Sequence, residues 1–181
     1  MDVVELLSRL RLLRFPVGQA YLWRDGDEVT PIDAGPAGCG ARIAAFARAA
    51  GRVRRVVLTH FHEDHAGGAA EAGALAGAEV VAHALDAPVV RGEVPGPPPA
   101  LEERERPLHE DALRRLPPGG FDRPARVTEV VDAVAPFGRP AALDTEVACI
   151  GHGDPVTAWA GDVLRAAART YAAHRAVSAD R

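Results

Sequence analysis

The chain of 181 residues contains no lysine, and all 21 of its basic residues are arginine. Alanine, by contrast, occurs 36 times. Both biases fall on apolar and polar stretches alike, so they read as codon composition and carry no functional signal. Against 25 acidic residues the arginines leave a formal net charge of -4. An overall basic surface for a nucleic-acid backbone is therefore lacking, and no nucleic-acid partner is expected. Cysteine is scarce: Cys39 and Cys149 cannot build a disulfide framework and form no Cys-x-x-Cys pair. No apolar run approaches the roughly 18 residues of a membrane span, so no membrane partner is expected. The first residues include Asp2 and Glu5 and no basic residue before Arg9, which is not a secretory leader pattern. With so few cysteines, the cytoplasm is the expected location.

What remains is globular. A hydrophobic share of 48% and a charged share of 25% exclude disorder across the chain. The length suits a single domain over 1–181. Residues 10–33 read as β structure, with Gln19 to Trp23 leading into an Asp25-Gly26 turn and Val29 to Ile32 returning. Residues 40–50 carry Ile43, Phe46, Ala47 and Ala50 at helical spacing. Val53 to Leu58 is a short strand whose last three residues are all apolar, as in strands covered on both faces. A His-rich loop, an Ala-rich helix over 68–76 and a strand over 79–82 follow. This alternation predicts an α/β layered fold.

The composition then shifts. Eight of the 15 prolines lie between residues 95 and 124. The 92–126 segment reads as an irregular insert or a cover, with one short helix over 107–116 inside it. Beyond it, 145–150 reads as a strand, and Gly151-His152-Gly153 as a loop. Asp154-Pro155 supplies an N-cap and an N1 proline for a last helix to about residue 176.

Chemistry concentrates in Thr59-His60-Phe61-His62-Glu63-Asp64-His65, directly after an apolar strand. His60 and His62 are two apart, so an extended backbone points both the same way. Asp64 and His65 fall at the turn into the next helix, where Gly67 and Gly68 allow a tight bend. Three imidazoles and a carboxylate from one loop suit zinc, with manganese or iron as chemical alternatives. Surface loops rarely concentrate such ligands at a strand end.

This His-x-His-x-Asp-His run resembles the signature of the metallo-β-lactamase-fold hydrolase superfamily. Pro31-Ile32-Asp33-Ala34-Gly35 is similar to that family's earlier strand-Asp-x-Gly element, and residues 151–155 to its late histidine loop. The resemblance implies an αββα sandwich. It implies metal ligands at His60, His62, Asp64, His65 and His152. It gives Asp64 a further role in holding or moving a proton, with Asp33 and Thr59 supporting the ligands from behind. A metal-bound hydroxide acting on a small ester, lactone or thioester is the implied chemistry.

Two ligands of the family pattern have no match here: a third His and a carboxylate bridging two metals. Between His65 and His152 only His83 and His109 occur. His83, at a strand end, reads as structural, and His109 as the solvent-facing start of a helix. Asp162 superficially resembles the bridging Asp, but follows His152 within a helical pattern. The shortfall points to a segment lost near 133–142, which leaves the second half of the sandwich incomplete. An unpaired sheet edge there would favour a homo-oligomer. Without the bridging carboxylate, two divalent ions about 3.5 Å apart repel with little compensation, so one tightly held zinc is expected. The alternative is a vestigial relative that binds metal without catalysis. Cys149 reads as a buried structural thiol, and Cys39 as a thiol with no base near it in sequence.

Overall fold

The computed structural model describes residues 1–99, 101–118 and 121–130, together with 162, 165, 166 and 169. The chain forms two compact units, Met1–Val131 and Asp132–Arg181.

The first unit is built on a single seven-stranded sheet whose strands lie in sequence order. Four strands make an antiparallel meander: β1 (Asp2–Leu7), β2 (Leu10–Arg14), β3 (Gln19–Asp25) and β4 (Glu28–Ile32). Gly26, at φ 58°, lets β3 turn directly into β4, where Asp25 pairs with Glu28. Three parallel strands extend the sheet: β5 (Arg55–Val57), β6 (Glu79–His83) and β7 (Thr128–Val130). Each parallel step needs a crossover, and helices supply it. They are α1 (Gly40–Ala50), α2 (Glu63–Ala66), α3 (Ala69–Ala76), α4 (Ala87–Arg91) and α5 (Arg106–Arg115).

The core lies between the sheet and helices α1 and α3. Ile43 and Ala47 of α1 and Ala69 and Ala72 of α3 meet Leu13, Leu22, Val29, Val56 and Val80. Alanine dominates the helix side because the two helices approach closely. A Cβ at Gly40 would collide with the Gly68 carbonyl oxygen. Leu12 and Leu13 point to opposite faces of the sheet, yet are 1% and 0% exposed, so both faces are covered here.

The sequence pattern anticipates β2 to β6, α1, α3 and α5, but not β1, α4 or β7. β1 and β7 are exposed along almost their whole length and carry no buried stripe to read. α4 has only five residues. Its signal is the Asp86 N-cap position followed by Pro88 in the first turn. The expected strand over 145–150, the His152 loop and the proposed loss near 133–142 lie outside the described residues. In the second unit, residues 162, 165, 166 and 169 are helical. Asp162 there is exposed and pairs with Arg165 at 2.7 Å, one turn along the helix.

Candidate metal centre

The parallel strands end side by side, and the ends of β4, β5 and β6 deliver Asp33, Thr59 and His83 to one edge of the sheet. Open α/β sheets place their ligand sites at this edge. Backbone hydrogen bonds lace the two loops together there. Asp33 donates to the Val57 carbonyl (2.8 Å), Ala34 to the His65 carbonyl (2.7 Å), and Gly68 to the Gly35 carbonyl (3.0 Å).

Asp33 organises the cluster. It is 2% exposed and sits at φ 64°, a left-handed conformation that costs a non-glycine residue energy and concentrates at functional sites. Its carboxylate is satisfied from three directions. The Thr59 amide donates to Oδ1 at 2.8 Å, and the Thr59 hydroxyl lies 2.9 Å from both oxygens. His65 Nδ1 is 2.8 Å from Oδ2. Burying a carboxylate is tolerated only with such a set of donors.

The network also fixes tautomers. The Thr59 hydroxyl has one proton, and the charged Asp33 is its strongest acceptor. The hydroxyl oxygen must then accept from His60 Nδ1, 3.0 Å away. His65 donates through Nδ1 to Asp33 in the same way. Both rings are thereby left with their lone pair on Nε2, the arrangement that a carboxylate behind a metal-binding imidazole enforces. Asp33 reaches one ring directly and the other through Thr59.

Three imidazoles crowd together in front of this network. The His60 ring lies 4.6 Å from that of His62 and 4.2 Å from that of His65, centroid to centroid. The Asp64 carboxylate stands 3.4 Å from His65 Nε2. A carboxylate oxygen facing an imidazole lone pair repels it, and only a proton or a cation between them relieves this. Burial and the neighbouring imidazoles push the His60 pKa down to about 4, so its ring is neutral at physiological pH. Burial likewise lowers His62, with the His65 and His109 charges adding to the effect against Asp64 and Asp86. For His65, burial favours the neutral ring, but the Asp33 hydrogen bond and the Asp33 and Asp64 charges outweigh it and raise the pKa.

This donor set fits a borderline divalent cation: neutral imidazoles, one carboxylate, and a buried anion behind them. The rings stack edge to face, at 73° for His60 and His62. Among the described residues no group of three donors already converges as an ion cage.

The backbone is shaped for the same purpose. Gly18, at φ 71° in the turn before β3, lies against the Asp64 backbone, where an added Cβ would sit 2.5 Å from the carbonyl oxygen. Only glycine allows this approach at this φ. His62 occupies the N-cap position of α2, and its carbonyl accepts from the His65 and Ala66 amides.

His60, His62, Asp64, His65, Asp33 and Thr59 are thus brought together, and His152 lies outside the described residues. The Leu85 amide donates to His83 Nδ1 at 3.2 Å, closing the turn after β6. His109 lies in the first turns of α5, at the helix start the sequence suggested, and is half-buried instead of fully exposed. Sequence reasoning also passed over Asp86. It is half-buried, its pKa is raised by burial, and His83 and His62 feel its charge. Cys39 is half-buried, and burial raises its thiol pKa, which disfavours the reactive thiolate.

Residues 13–169 match the family model described as the metallo-beta-lactamase superfamily, and the chain belongs to that family. Among solved structures, it is similar to the metallo-beta-lactamase SMB-1 bound to 2-mercaptoethanesulfonate. The identity is 24% and the TM-score 0.52, over 73% of this chain and 48% of that one. It is also similar to MEM-A1, a subclass B3 metallo-beta-lactamase isolated from a soil metagenome library. Here the identity is 24% and the TM-score 0.51, over 73% and 47%. The chain thus matches about half the length of each. No curated protein sequence matches the chain.

Proposed function

We propose that the chain is a metal-dependent hydrolase acting on a small ester, lactone or thioester, with one zinc ion held by the His60 loop. The observation that carries this reading is the Asp33 network, which orients His60 and His65 and sets both beside His62 and Asp64. Such wiring has little use in a loop that only needs to be polar. His152 is proposed as a further ligand.

When bound, a divalent ion would lower the pKa of a water molecule towards neutrality and polarise the scissile carbonyl. The chain's own residues do the rest. Asp33 and Thr59 hold the imidazoles in one tautomer. Asp64 accepts the proton of the attacking water and returns it to the leaving alcohol, thiol or hydroxyl. No proton is consumed over the cycle. The same reading gives a cytoplasmic enzyme without nucleic-acid or membrane partners. No helix among the described residues is long and apolar enough to cross a membrane. Self-association is proposed through an exposed sheet edge, for which β1, with Val3, Val4 and Leu7 outward, is suited.

The test is hydrolysis of an ester, lactone and thioester panel by the zinc-loaded protein. Turnover that disappears in His60→Ala and His62→Ala supports the reading. Turnover unchanged in both variants refutes the site. Bound zinc with no turnover on any substrate identifies a metal-binding relative that is not a catalyst.

A further inference from the structure

The Asp33 network orients His60 and His65 but does not reach His62. The His62 ring meets the ring of Phe61 instead, edge to face, with centroids 4.9 Å apart and planes at 87°. That is a preferred arrangement of paired rings. Phe61 stands between the two histidines in sequence and packs, partly buried, against the core. Whatever fixes the Phe61 ring therefore fixes one side of His62.

The insert over 92–126 holds that ring from behind. On the way out, Gly96 lies against Phe61: an added Cβ would sit 2.7 Å from its Cε2 and 3.3 Å from Cγ1 of Val89 in α4. Only glycine lets the chain pass so close. On the way back, the Asp122 amide donates to the Gly67 carbonyl at 3.2 Å, just past His65. Arg123 ties the two passes together. It donates to the Val89 carbonyl at 2.5 Å, and its guanidinium lies 4.4 Å from the ring centroid of Phe121, which packs against the core. A charged donor makes the stronger kind of hydrogen bond, and a cation over a ring adds to it. Val89 is the meeting point: its carbonyl holds the returning pass and its side chain borders the outgoing one.

We infer that the neck of the insert, closed by Arg123, is the positioning device for His62. The neck holds Phe61, Phe61 holds the His62 ring, and docking of the insert is coupled to metal binding. This inference rests on the metal centre proposed above and adds a control to it. Linkage makes the coupling reciprocal: the factor by which the closed neck raises metal affinity is the factor by which metal favours the closed neck.

The test uses the full chain and reads metal binding, not turnover. Zinc affinity is measured by chelator competition, and the Co(II) absorption spectrum is recorded, for wild type, Arg123→Ala, Gly96→Ala, Arg126→Ala and His60→Ala. Arg126 is exposed and controls for the lost charge. Arg123→Ala should weaken zinc binding about 10-fold, the lower end of what loss of a group supporting a ligand costs. Gly96→Ala pushes on Phe61 from the other pass and should weaken it as well. Both should change the Co(II) bands, because the His62 ring moves, while Arg126→Ala matches wild type. A role in stability alone would lower the unfolding midpoint and leave affinity and bands as they are. Hydrogen exchange supplies a readout that needs no variant of the neck: zinc should protect the amides of residues 121–123 in wild type and not in His60→Ala. Affinity and spectrum unchanged in Arg123→Ala and Gly96→Ala, with binding lost in His60→Ala, overturn the coupling and leave the centre intact. Absence of zinc protection over 121–123 also overturns it. Equal affinity in wild type and His60→Ala refutes the centre itself.

Discussion

One buried carboxylate sets the chemistry of two histidines. Asp33 bonds His65 directly and reaches His60 through the Thr59 hydroxyl. Asp33→Asn keeps the shape and tolerates the left-handed backbone, because asparagine visits that region readily. It removes the charge that selects the Nε2 lone pairs. Metal affinity should fall about 10–100-fold with little change in fold, as chelator competition and circular dichroism would show. Thr59→Val removes the hydroxyl that connects Asp33 to His60 but keeps the amide bond to Oδ1. Its effect on affinity should be smaller than that of Asp33→Asn. An effect equal to or larger than that of Asp33→Asn would mean that His60 depends on Thr59 by another route.

At the scale of elements, the site is a junction of loops held by close backbone approaches. Gly18→Ala forces β3 away from the backbone of Asp64 and strains a left-handed turn. A loss of stability of about 1–3 kcal/mol is expected from such strain. Metal affinity should fall with it, although no ligand is touched. Ile43→Ala empties a fully buried position between α1 and the sheet, and should cost about 2–5 kcal/mol in denaturant unfolding. Ile43 is not in the metal loop, so a refolded Ile43→Ala protein should bind metal as wild type does.

The elements that build this junction were legible because each carries a strong pattern. The apolar run of β5, the helical spacing of α1 and the Asp-Gly turn of the β3–β4 hairpin are local signals. The His60–His65 loop is legible by residue type alone. The rest was hidden for physical reasons. β1 and β7 bury too little to show a stripe. Asp86 acts on His62 only through the way β6 lies beside β5 in the sheet, and nothing in its local sequence encodes that pairing. The tautomers of His60 and His65 depend on Asp33, which is separated from them by a helix and a strand.

At the scale of the molecule, the first unit's seven-stranded sheet supplies one wall, and three crossovers place their loops at one end of it. That geometry explains how residues as far apart as Asp33 and His65 come into contact. The proposal of a single ion rests on charge. Among the described residues, Asp64 stands beside the imidazoles, Asp33 lies behind them, and Asp86 acts on His62 through its charge. Two divalent ions in that space would keep an uncompensated excess of positive charge.

The most direct measurement of the central claim is metal stoichiometry after exhaustive dialysis of the wild-type protein, with His60→Ala beside it. One equivalent of zinc retained by the wild type, and none by the variant, is the predicted result. Two equivalents retained by the wild type, or equal retention by both proteins, would contradict it.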